Sequence, residues 1–290
     1  MILIFVDGFG IGPAAPSNPL AAIDDFAPLT LATDLENTTF MGGIVVPTDA
    51  RLSVEGRPQS ASGQTTILTG VNAPQTLGYH KQGFPNRALR DIIEKHSIFL
   101  RLKQREIYPN VFVNAYSPKF FKETPRWKSA TTCAVEAAGM QFQRFPDLIG
   151  RKALSHDFTN RYLIDEGFDV PELSPEEAGS ILARISMRHR FTLYEHFITD
   201  MIGHAQDEAA AAEHLPKLAR FIHAVIETAD LKDTTVILTS DHGNIEDLSI
   251  RNHTLNDVPT IVWGRESEST AASIKDLTHI TPAIIRLLTE

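Results

Sequence analysis

Short apolar runs recur along the chain and are separated by longer amphipathic stretches. The runs are rich in β-branched and aromatic residues and mostly do not alternate with polar ones, which is typical of strands buried on both faces. We predict strands at ILIFV (2–6), NVFVNAY (110–116), FTLYEHFIT (191–199), TTVILT (234–239) and PTIVW (259–263). The amphipathic stretches predict helices at residues 86–105, 214–230 and 279–290. This alternation predicts an α/β fold with a largely parallel sheet covered by helices on both faces.

One part of the chain departs from this alternation. Residues 119–190 contain KETPRWKS, RFPDLIG and FDVPELSPEE, which are rich in turn-forming residues. We therefore predict a core made of residues 1–118 and 191–290, and a small insertion or cap made of residues 119–190.

Composition narrows the functional classes. The chain has 290 residues and a formal net charge of -9, and it has no long Lys/Arg block of the kind that binds nucleic acid. Cys133 is the single cysteine, so neither an intrachain disulfide nor a thiolate zinc cluster can form, which fits a reducing cytoplasm. The apolar start lacks a basic flank and contains Asp7, and no stretch reaches the roughly 20 apolar residues of a membrane span. We expect a cytoplasmic protein that binds neither nucleic acid nor membrane.

Acidic and histidine residues stand at the ends of several predicted strands. Ligands of open α/β sheets bind outside the carboxyl ends of the strands, so these residues should converge. His204 follows Asp200 by four residues, a spacing that places both on one side of a helical turn. The set is Asp7, Asp200, His204, Asp241, His242 and His253. Six carboxylate and imidazole ligands exceed one tetrahedral site and predict two divalent metal ions, Mn²⁺ or Zn²⁺.

Each of these residues also has a purely structural interpretation. An aspartate at a strand end often caps the next helix, and an isolated histidine is more often an ordinary polar group than a ligand. The shared position at strand ends is what favours metal binding. The remaining histidines have no such position and are interpreted as ordinary polar residues.

The segment GRPQSASGQTTILTG (56–70) supplies a candidate nucleophile. Ser60 follows a turn and begins a predicted helix that Gly70 closes. The positive end of the helix dipole would favour a phosphoryl group there. The alternative is that Ser60 only caps the helix.

Five motifs together resemble the alkaline phosphatase superfamily, in particular its branch of cofactor-independent phosphoglycerate mutase and phosphopentomutase. These motifs are VDGFGIG, QSASGQ, DMIGHA, TSDHGNIED and NHTLNDVPTIVWG, and they extend from the first strand to Gly264. The resemblance implies a three-layer sandwich and a phosphoserine formed on Ser60. It also implies one metal held by Asp7, Ser60, Asp241 and His242, and a second held by Asp200, His204 and His253.

The departures from the family pattern bear on the reaction. Gln64 replaces a histidine of the mutases and Ala61 a glutamate of the glycerate mutase, and the large phosphotransferase domain of that mutase has no counterpart between Gly70 and Asp200. The nucleophile segment lacks the Pro and Arg of sulfatases. A dinucleotide site is disfavoured because Pro13 occupies the third glycine position of GxGxxG.

These observations predict a dinuclear metal-dependent phosphohydrolase that acts on a small phosphate monoester. The alternatives are a phosphomutase or phosphodiesterase of the same superfamily, or a non-catalytic metal-binding homologue. The candidate substrate contacts are Gln64, His80, Lys119 and Arg126. Lysine and arginine are normally exposed, so the basic residues among them could equally be solvated surface charges.

Overall fold

The structure is a computed structural model that describes residues 1–30, 38–122 and 127–290. Its nine strands within these ranges are β1 (Ile2–Val6), β2 (Thr39–Phe40), β3 (Gly43–Thr48), β4 (Asn110–Phe112), β5 (Ala115–Tyr116), β6 (Gln143–Arg144), β7 (Phe191–His196), β8 (Thr235–Thr239) and β9 (Val258–Gly264). Seven of them form one sheet in the order β2-β3-β9-β8-β1-β7-β4, and β5 pairs with β6 separately. Strands β8, β1, β7 and β4 run parallel, whereas β9, β3 and β2 add an edge of antiparallel pairs. The prediction of a mostly parallel central sheet is confirmed.

Helices follow most of the strands. The α-helices within the described ranges are α1 (Ser60–Thr69), α2 (Ala73–Leu77), α3 (Arg87–His96), α4 (Ile98–Gln104), α5 (Pro118–Lys122), α6 (Ala130–Ala137), α7 (Phe145–Ile149), α8 (Arg161–Asp165), α9 (Pro175–Ser186), α10 (Ile198–Ala205), α11 (Glu208–Thr228), α12 (Ser267–Ser273) and α13 (Ile280–Thr289). Short 3-10 helices cover Pro19–Ala22, Ala27–Thr30 and Leu277–His279. None of the helices in the part of the chain that the structure describes has the length and apolarity needed to cross a membrane.

The central strand β1 divides the hydrophobic core in two. Successive side chains of a strand point to opposite faces, and Ile2 and Ile4 belong to one buried cluster while Leu3 and Phe5 belong to another. The first cluster includes residues of α9 and α11, and the second includes residues of α1, α3, α4, α6 and α13. A sheet with a helical layer on each face is the three-layer sandwich that the sequence predicts.

Several elements differ from the prediction in their bounds. The strand predicted at 110–116 is broken into β4 and β5, and the side-chain amide of Asn114 pairs with the backbone of Glu195, donating to its carbonyl at 2.6 Å and accepting from its N–H at 2.9 Å. The helix predicted at 86–105 is interrupted at Ser97, which ends α3 and begins α4 in a non-helical conformation. Strand β3 was not predicted because Gly43 and Pro47 are residue types that disfavour strands.

The antiparallel direction of β9 is important for the site. Because β9 runs opposite to β8, the start of β9 lies at the same edge of the sheet as the carboxyl end of β8. Residues that precede β9 therefore reach the edge where the parallel strands end.

The division into a core and an insertion stays a prediction. Helices α6 and α9 fall within residues 119–190, and their buried side chains join the same clusters as the strands. In the structure these two helices are part of the outer layers of the sandwich.

Candidate metal centre

Four loops at one edge of the sheet carry the candidate ligands. Asp7 directly follows β1, Asp241 and His242 follow β8, and Asp200 lies in the first turn of α10 after β7. The strands β8, β1 and β7 are neighbours in the sheet, so these side chains converge as the sequence predicts. His204 lies one turn after Asp200, and a loop before β9 brings in His253.

The first group of ligand atoms surrounds the Nε2 atom of His242. The distance from this atom to the Oγ of Ser60 is 3.0 Å, to the Oδ1 of Asp7 3.3 Å, and to the Oδ2 of Asp241 3.5 Å. Four ligands placed tetrahedrally at 2.0–2.1 Å from a zinc ion lie about 3.3–3.4 Å from one another. The three distances from the His242 Nε2 are those expected between ligands of one ion, although the common metal site that contains Asp7 and His242 includes Asp200 and not Asp241.

The second group has similar spacing. The Oδ2 of Asp200 lies 3.4 Å from the Nε2 of His204, and its Oδ1 lies 3.5 Å from the Nε2 of His253. The two imidazole Nε2 atoms are 3.1 Å apart. These three residues satisfy the separation expected of a common metal site.

The two groups are adjacent. The rings of His242 and His253 are stacked, with centroids 3.5 Å apart and planes inclined by 14°. Asp200 also lies close enough to Asp7 and His242 for all three to share an ion, since their ligand atoms fall within 4.8 Å of one another. The arrangement can therefore hold two ions side by side.

Hydrogen bonding leaves the inward-facing oxygens without partners. Asp7 accepts a 2.9 Å hydrogen bond from the Gln64 side chain on its Oδ2, and Asp241 accepts a 3.5 Å bond from the Gly8 N–H on its Oδ1. The other oxygen of each carboxylate, Asp7 Oδ1 and Asp241 Oδ2, is buried with no partner. Buried polar atoms are almost always satisfied. The unpaired oxygens therefore fit a bound cation.

Hydrogen bonds of the Nδ1 atoms determine which nitrogen of two candidate histidine ligands can bind a metal. His204 Nδ1 donates to the carbonyl of Arg251, and His253 Nδ1 donates to the carbonyl of Pro58, each at 2.8 Å. A carbonyl can only accept, so in a neutral ring the Nε2 atom carries a lone pair. This second interaction is usual for histidines that bind metals.

The pKa shifts of the candidate ligands are also consistent with a bound cation. Burial, followed by repulsion from Asp241, raises the pKa of Asp7 well above its usual range, and burial together with the charge of Asp200 does the same to the pKa of Asp241. Burial lowers the pKa of His242 far below its usual value. Several buried carboxylates close together are costly unless a cation neutralises them.

Helix α1 carries the candidate nucleophile. Gln59 is its N-cap, and Ser60 is its first residue, with its hydroxyl 3.0 Å from the His242 Nε2, so Ser60 is not the N-cap that the alternative predicted. Gly63 allows the helix to approach the metal ligands: a Cβ at this position would lie 2.9 Å from the Cβ and the carbonyl oxygen of Asp241. Gly70 ends the helix in the left-handed conformation, with φ 74°.

Asn244 and Glu246 support the ligands and were not identified from the sequence. Asn244 donates a 2.7 Å hydrogen bond to the Oδ1 of Asp200. The fully buried carboxylate of Glu246 accepts bonds from the Gly10 N–H at 3.1 Å, from the Asn256 side chain at 3.1 Å, and from the hydroxyl of Thr254. Glu246 thus joins the three loops that carry Asp7, the β8 ligands and His253. Both residues lie within the TSDHGNIED motif, which was the available signal in the sequence.

Replacing Glu246 with Gln should lower the free energy of unfolding. The amide offers one acceptor oxygen in place of two, so either Gly10 N–H or the donors from the β9 loop lose their partner. A buried donor left unpaired costs about 1–3 kcal/mol. Chemical denaturation of the metal-free protein measures this difference.

Glu213→Gln is the matched control for this substitution. Glu213 is exposed and pairs with Lys217 one turn further along α11, so its replacement should leave the unfolding transition unchanged. Equal stability of Glu246→Gln and the unmodified protein would contradict the role of Glu246 in joining the loops.

The candidate substrate contacts lie in different places. Gln64 lines the cavity beside Ser60 and hydrogen-bonds Asp7. His80 and Lys119 do not line that cavity, and the His80 Nε2 atom lies 3.3 Å from the carbonyl of Val54. Arg126 lies outside the described residues. The substrate-binding roles of all four residues stay predictions.

Comparisons with known proteins agree with this geometry. Residues 172–289 match the Metalloenzyme superfamily. The 2,3-bisphosphoglycerate-independent phosphoglycerate mutase of Desulforudis audaxviator is 27% identical over 125 residues, which cover 41% of this chain and 24% of the mutase. The corresponding enzyme of Haloquadratum walsbyi is 30% identical over 97 residues, which cover 31% of this chain and 19% of the mutase. The match thus spans about a quarter or less of these relatives.

Solved structures show the same fold along the whole chain. The PH0037 protein from Pyrococcus horikoshii has a TM-score of 0.58 and 12% identity, and the alignment covers 99% of this chain and 97% of that one. A cold-active alkaline phosphatase from a psychrophilic Shewanella has a TM-score of 0.54 and 14% identity, with both chains fully covered.

The fold is that of an alkaline phosphatase, and the two ligand groups are candidate metal sites. Together with the match of residues 172–289 to the Metalloenzyme superfamily, these findings support an alkaline phosphatase-superfamily metalloenzyme in which residues 70–200 contain no counterpart of the large phosphotransferase domain of the glycerate mutases. Members of this superfamily are metal-dependent phosphoryl-transfer enzymes. The prediction of the superfamily from the sequence is confirmed.

Proposed function

We propose that this protein is a metal-dependent phosphohydrolase that cleaves a small phosphate monoester through a phosphoserine on Ser60. The observation that carries the proposal is the position of the Ser60 hydroxyl, 3.0 Å from the Nε2 of His242, which belongs to one of two adjacent ligand groups. A hydroxyl in this position can attack phosphorus, and cations held by the two groups would stabilise the oxygens of the phosphoryl group.

The residues divide into two sets in this proposal. Asp7, Asp241 and His242 would hold one divalent ion together with Ser60, and Asp200, His204 and His253 would hold the other. Two such ions supply positive charge that favours ionisation of the serine hydroxyl and neutralises the phosphoryl oxygens.

The chain itself positions the nucleophile. Ser60 occupies the first position of the ten-residue helix α1, so the positive end of the helix dipole faces an incoming phosphate. Its Oγ forms the bond to phosphorus as the bond from phosphorus to the alcohol oxygen breaks, and the serine proton is balanced by the proton that the alcohol takes up. Water then hydrolyses the phosphoserine, which restores the Ser60 hydroxyl and releases phosphate.

Phosphoglycerate mutase is the second candidate function, because the curated relatives carry that name. A mutase must hold its dephosphorylated intermediate beside the phosphoserine and exclude water, which requires extensive clamping of the substrate. Residues 119–190 contribute only part of the cavity wall, which includes Glu166 and no lysine or arginine among the described residues, and this is a poor surface for an anionic glycerate. Water should therefore react with the phosphoserine first.

One assay separates the two functions. Metal-loaded protein is incubated with 4-nitrophenyl phosphate and, separately, with 3-phosphoglycerate. We expect release of phosphate from monoesters and no 2-phosphoglycerate. Formation of 2-phosphoglycerate at roughly 10 per second, a typical enzymatic turnover, would replace the hydrolase with the mutase, and hydrolysis of diesters alone would indicate a phosphodiesterase. A protein that binds metal but forms no phosphoserine with any ester would be a non-catalytic homologue.

Metal analysis tests the dinuclear centre separately. Imidazole and carboxylate ligands favour Mn²⁺ or Zn²⁺ over Ca²⁺, and two adjacent ligand groups should hold two ions per chain. Equilibrium dialysis followed by elemental analysis measures the stoichiometry. Binding of at most one ion per chain at saturation would contradict the dinuclear centre. His204→Ala should reduce the number of bound ions per chain from two to one.

A further inference from the structure

A large cavity opens beside the candidate nucleophile. Its volume is about 580 Å³, and Asp7, Ser60 and Asp200 are among the residues that line it. The volume falls within the range of pockets that enclose small organic ligands. A phosphate held at the metal centre would therefore direct its alcohol group into this cavity.

Aromatic rings form much of the cavity wall away from the metal centre. The ring of Tyr116 contacts Phe120 at 4.4 Å and Phe112 at 6.2 Å between centroids, and all three line the cavity. On the other side, His156 stacks on Phe197 with centroids 4.3 Å apart. The faces of aromatic rings carry partial negative charge and attract organic cations.

A buried carboxylate also faces the cavity. Glu195, the fifth residue of β7, is 8% exposed and lines the cavity. Within the described residues it forms no ion pair with lysine or arginine. Burial raises its pKa to about 7, an effect that a hydrogen bond from Thr131 partly offsets. A buried carboxylate without a cationic partner is costly, and a cation bound in the cavity would remove that cost.

The charged residues that line the cavity are all acidic among those that the structure describes. Glu166 is a second carboxylate of the lining, and no lysine or arginine is present among the lining residues that the structure describes. An alcohol that carries a carboxylate or a second phosphate would meet negative charges there and no lysine or arginine among the described lining residues. An alcohol that carries a positive charge would meet both carboxylates and ring faces.

We propose that the cavity binds an organic ammonium group, so that the substrate is the phosphate monoester of an amino alcohol. This inference rests on the proposed hydrolase function. Glu195 provides the charge, Tyr116 and its neighbouring rings provide the faces, and Ser60 lines the same cavity.

Binding of ammonium compounds to the metal-loaded protein tests the proposal without turnover. Isothermal titration calorimetry compares benzyltrimethylammonium and benzylammonium with benzyl alcohol and benzoate at saturating Mn²⁺. Opposite charges attract more strongly inside a protein than in water, so we expect at least one ammonium compound to bind about tenfold more tightly than benzyl alcohol. The two ammonium probes show whether the cavity prefers a methylated or a primary ammonium group.

Two substitutions locate the binding site. Glu195→Gln keeps the shape of the side chain and should weaken ammonium binding about tenfold because it removes the charge. Tyr116→Leu should weaken it by about threefold to tenfold through loss of a ring face. Glu213→Gln removes an exposed carboxylate of α11 and should leave the affinity unchanged.

The outcomes separate this proposal from the proposed function. Benzyl alcohol binding as tightly as both ammonium probes, or benzoate binding most tightly, would overturn the ammonium site even if 4-nitrophenyl phosphate is hydrolysed. An ammonium preference that Glu195→Gln leaves intact would overturn the role of Glu195. Selective ammonium binding by a protein that hydrolyses no phosphate ester would retain the cation site and reject the hydrolase.

Discussion

Ser60→Ala should abolish the phosphoenzyme and lower the rate of monoester hydrolysis by about 10³-fold or more, as expected when a catalytic nucleophile is removed. The Ser60 hydroxyl is the one that lies 3.0 Å from the Nε2 of His242. Its removal costs no helix cap because Gln59 is the N-cap of α1, so the fold should persist. Intact mass after rapid acid quenching reports the phosphoserine, and steady-state kinetics report the rate.

Ser62→Ala is the matched control because it lies in the same turn of the helix. The Ser62 hydroxyl accepts a 3.0 Å hydrogen bond from the Lys81 N–H and donates to the carbonyl of Gln59 at 3.2 Å. Its replacement should loosen the loop around Lys81 and retain the phosphoserine. Loss of the phosphoserine in Ser62→Ala, with its retention in Ser60→Ala, would show that Ser62 and not Ser60 is the nucleophile.

The fold could be predicted largely because its central strands are buried on both faces. A run such as ILIFV has no alternative to a buried strand, and β1 is observed with the predicted bounds. The antiparallel edge was harder to predict, since β3 contains Gly43 and Pro47 and its pairing with β9 depends on a distant part of the chain. The break at Ser97 also depends on packing, because α3 and α4 read as one amphipathic helix.

The candidate ligands could be predicted because a topological rule links their positions. Residues at the carboxyl ends of parallel strands share one edge of the sheet whatever their separation in sequence, and Asp7 and Asp241 follow neighbouring strands. The convergence of the six ligand residues in the structure is consistent with that rule, and their metal-binding roles stay proposals.

The supporting residues and the cavity wall could not be predicted in the same way. Glu246 has no periodic or strand-end position, and its role depends on three loops that meet only in the folded chain. Likewise, Glu195 lies within a strand, where sequence pattern gives no indication that a cavity opens beside it. Gln64 was considered as a substrate contact because it replaces a family histidine, and the structure shows its amide bonded to Asp7.

Asp241→Asn should make the metal-free protein more stable and the metal-loaded protein less stable than the unmodified protein. Without metal, Asp241 and Asp7 are buried carboxylates that repel each other, and each has an oxygen with no partner. Asparagine keeps the acceptor for the Gly8 N–H, removes one charge, and offers an amide that can donate to Asp7. The cost of burying unpaired charge therefore falls.

The metal-loaded protein should respond in the opposite sense because asparagine is a weaker ligand. A ligand at 100 times its dissociation constant stabilises the native state by about 2.7 kcal/mol, and the variant should lose much of this gain. Denaturation with and without saturating Mn²⁺ measures both states. Asp247→Asn, a neighbour whose carboxylate accepts hydrogen bonds from Ser249 and Ser17, should keep the full metal response. If the metal-free Asp241→Asn variant is less stable than the unmodified protein, the Asp241 carboxylate stabilises the fold by itself. If the variant is more stable, the charge of Asp241 destabilises the metal-free fold, as expected of a metal ligand.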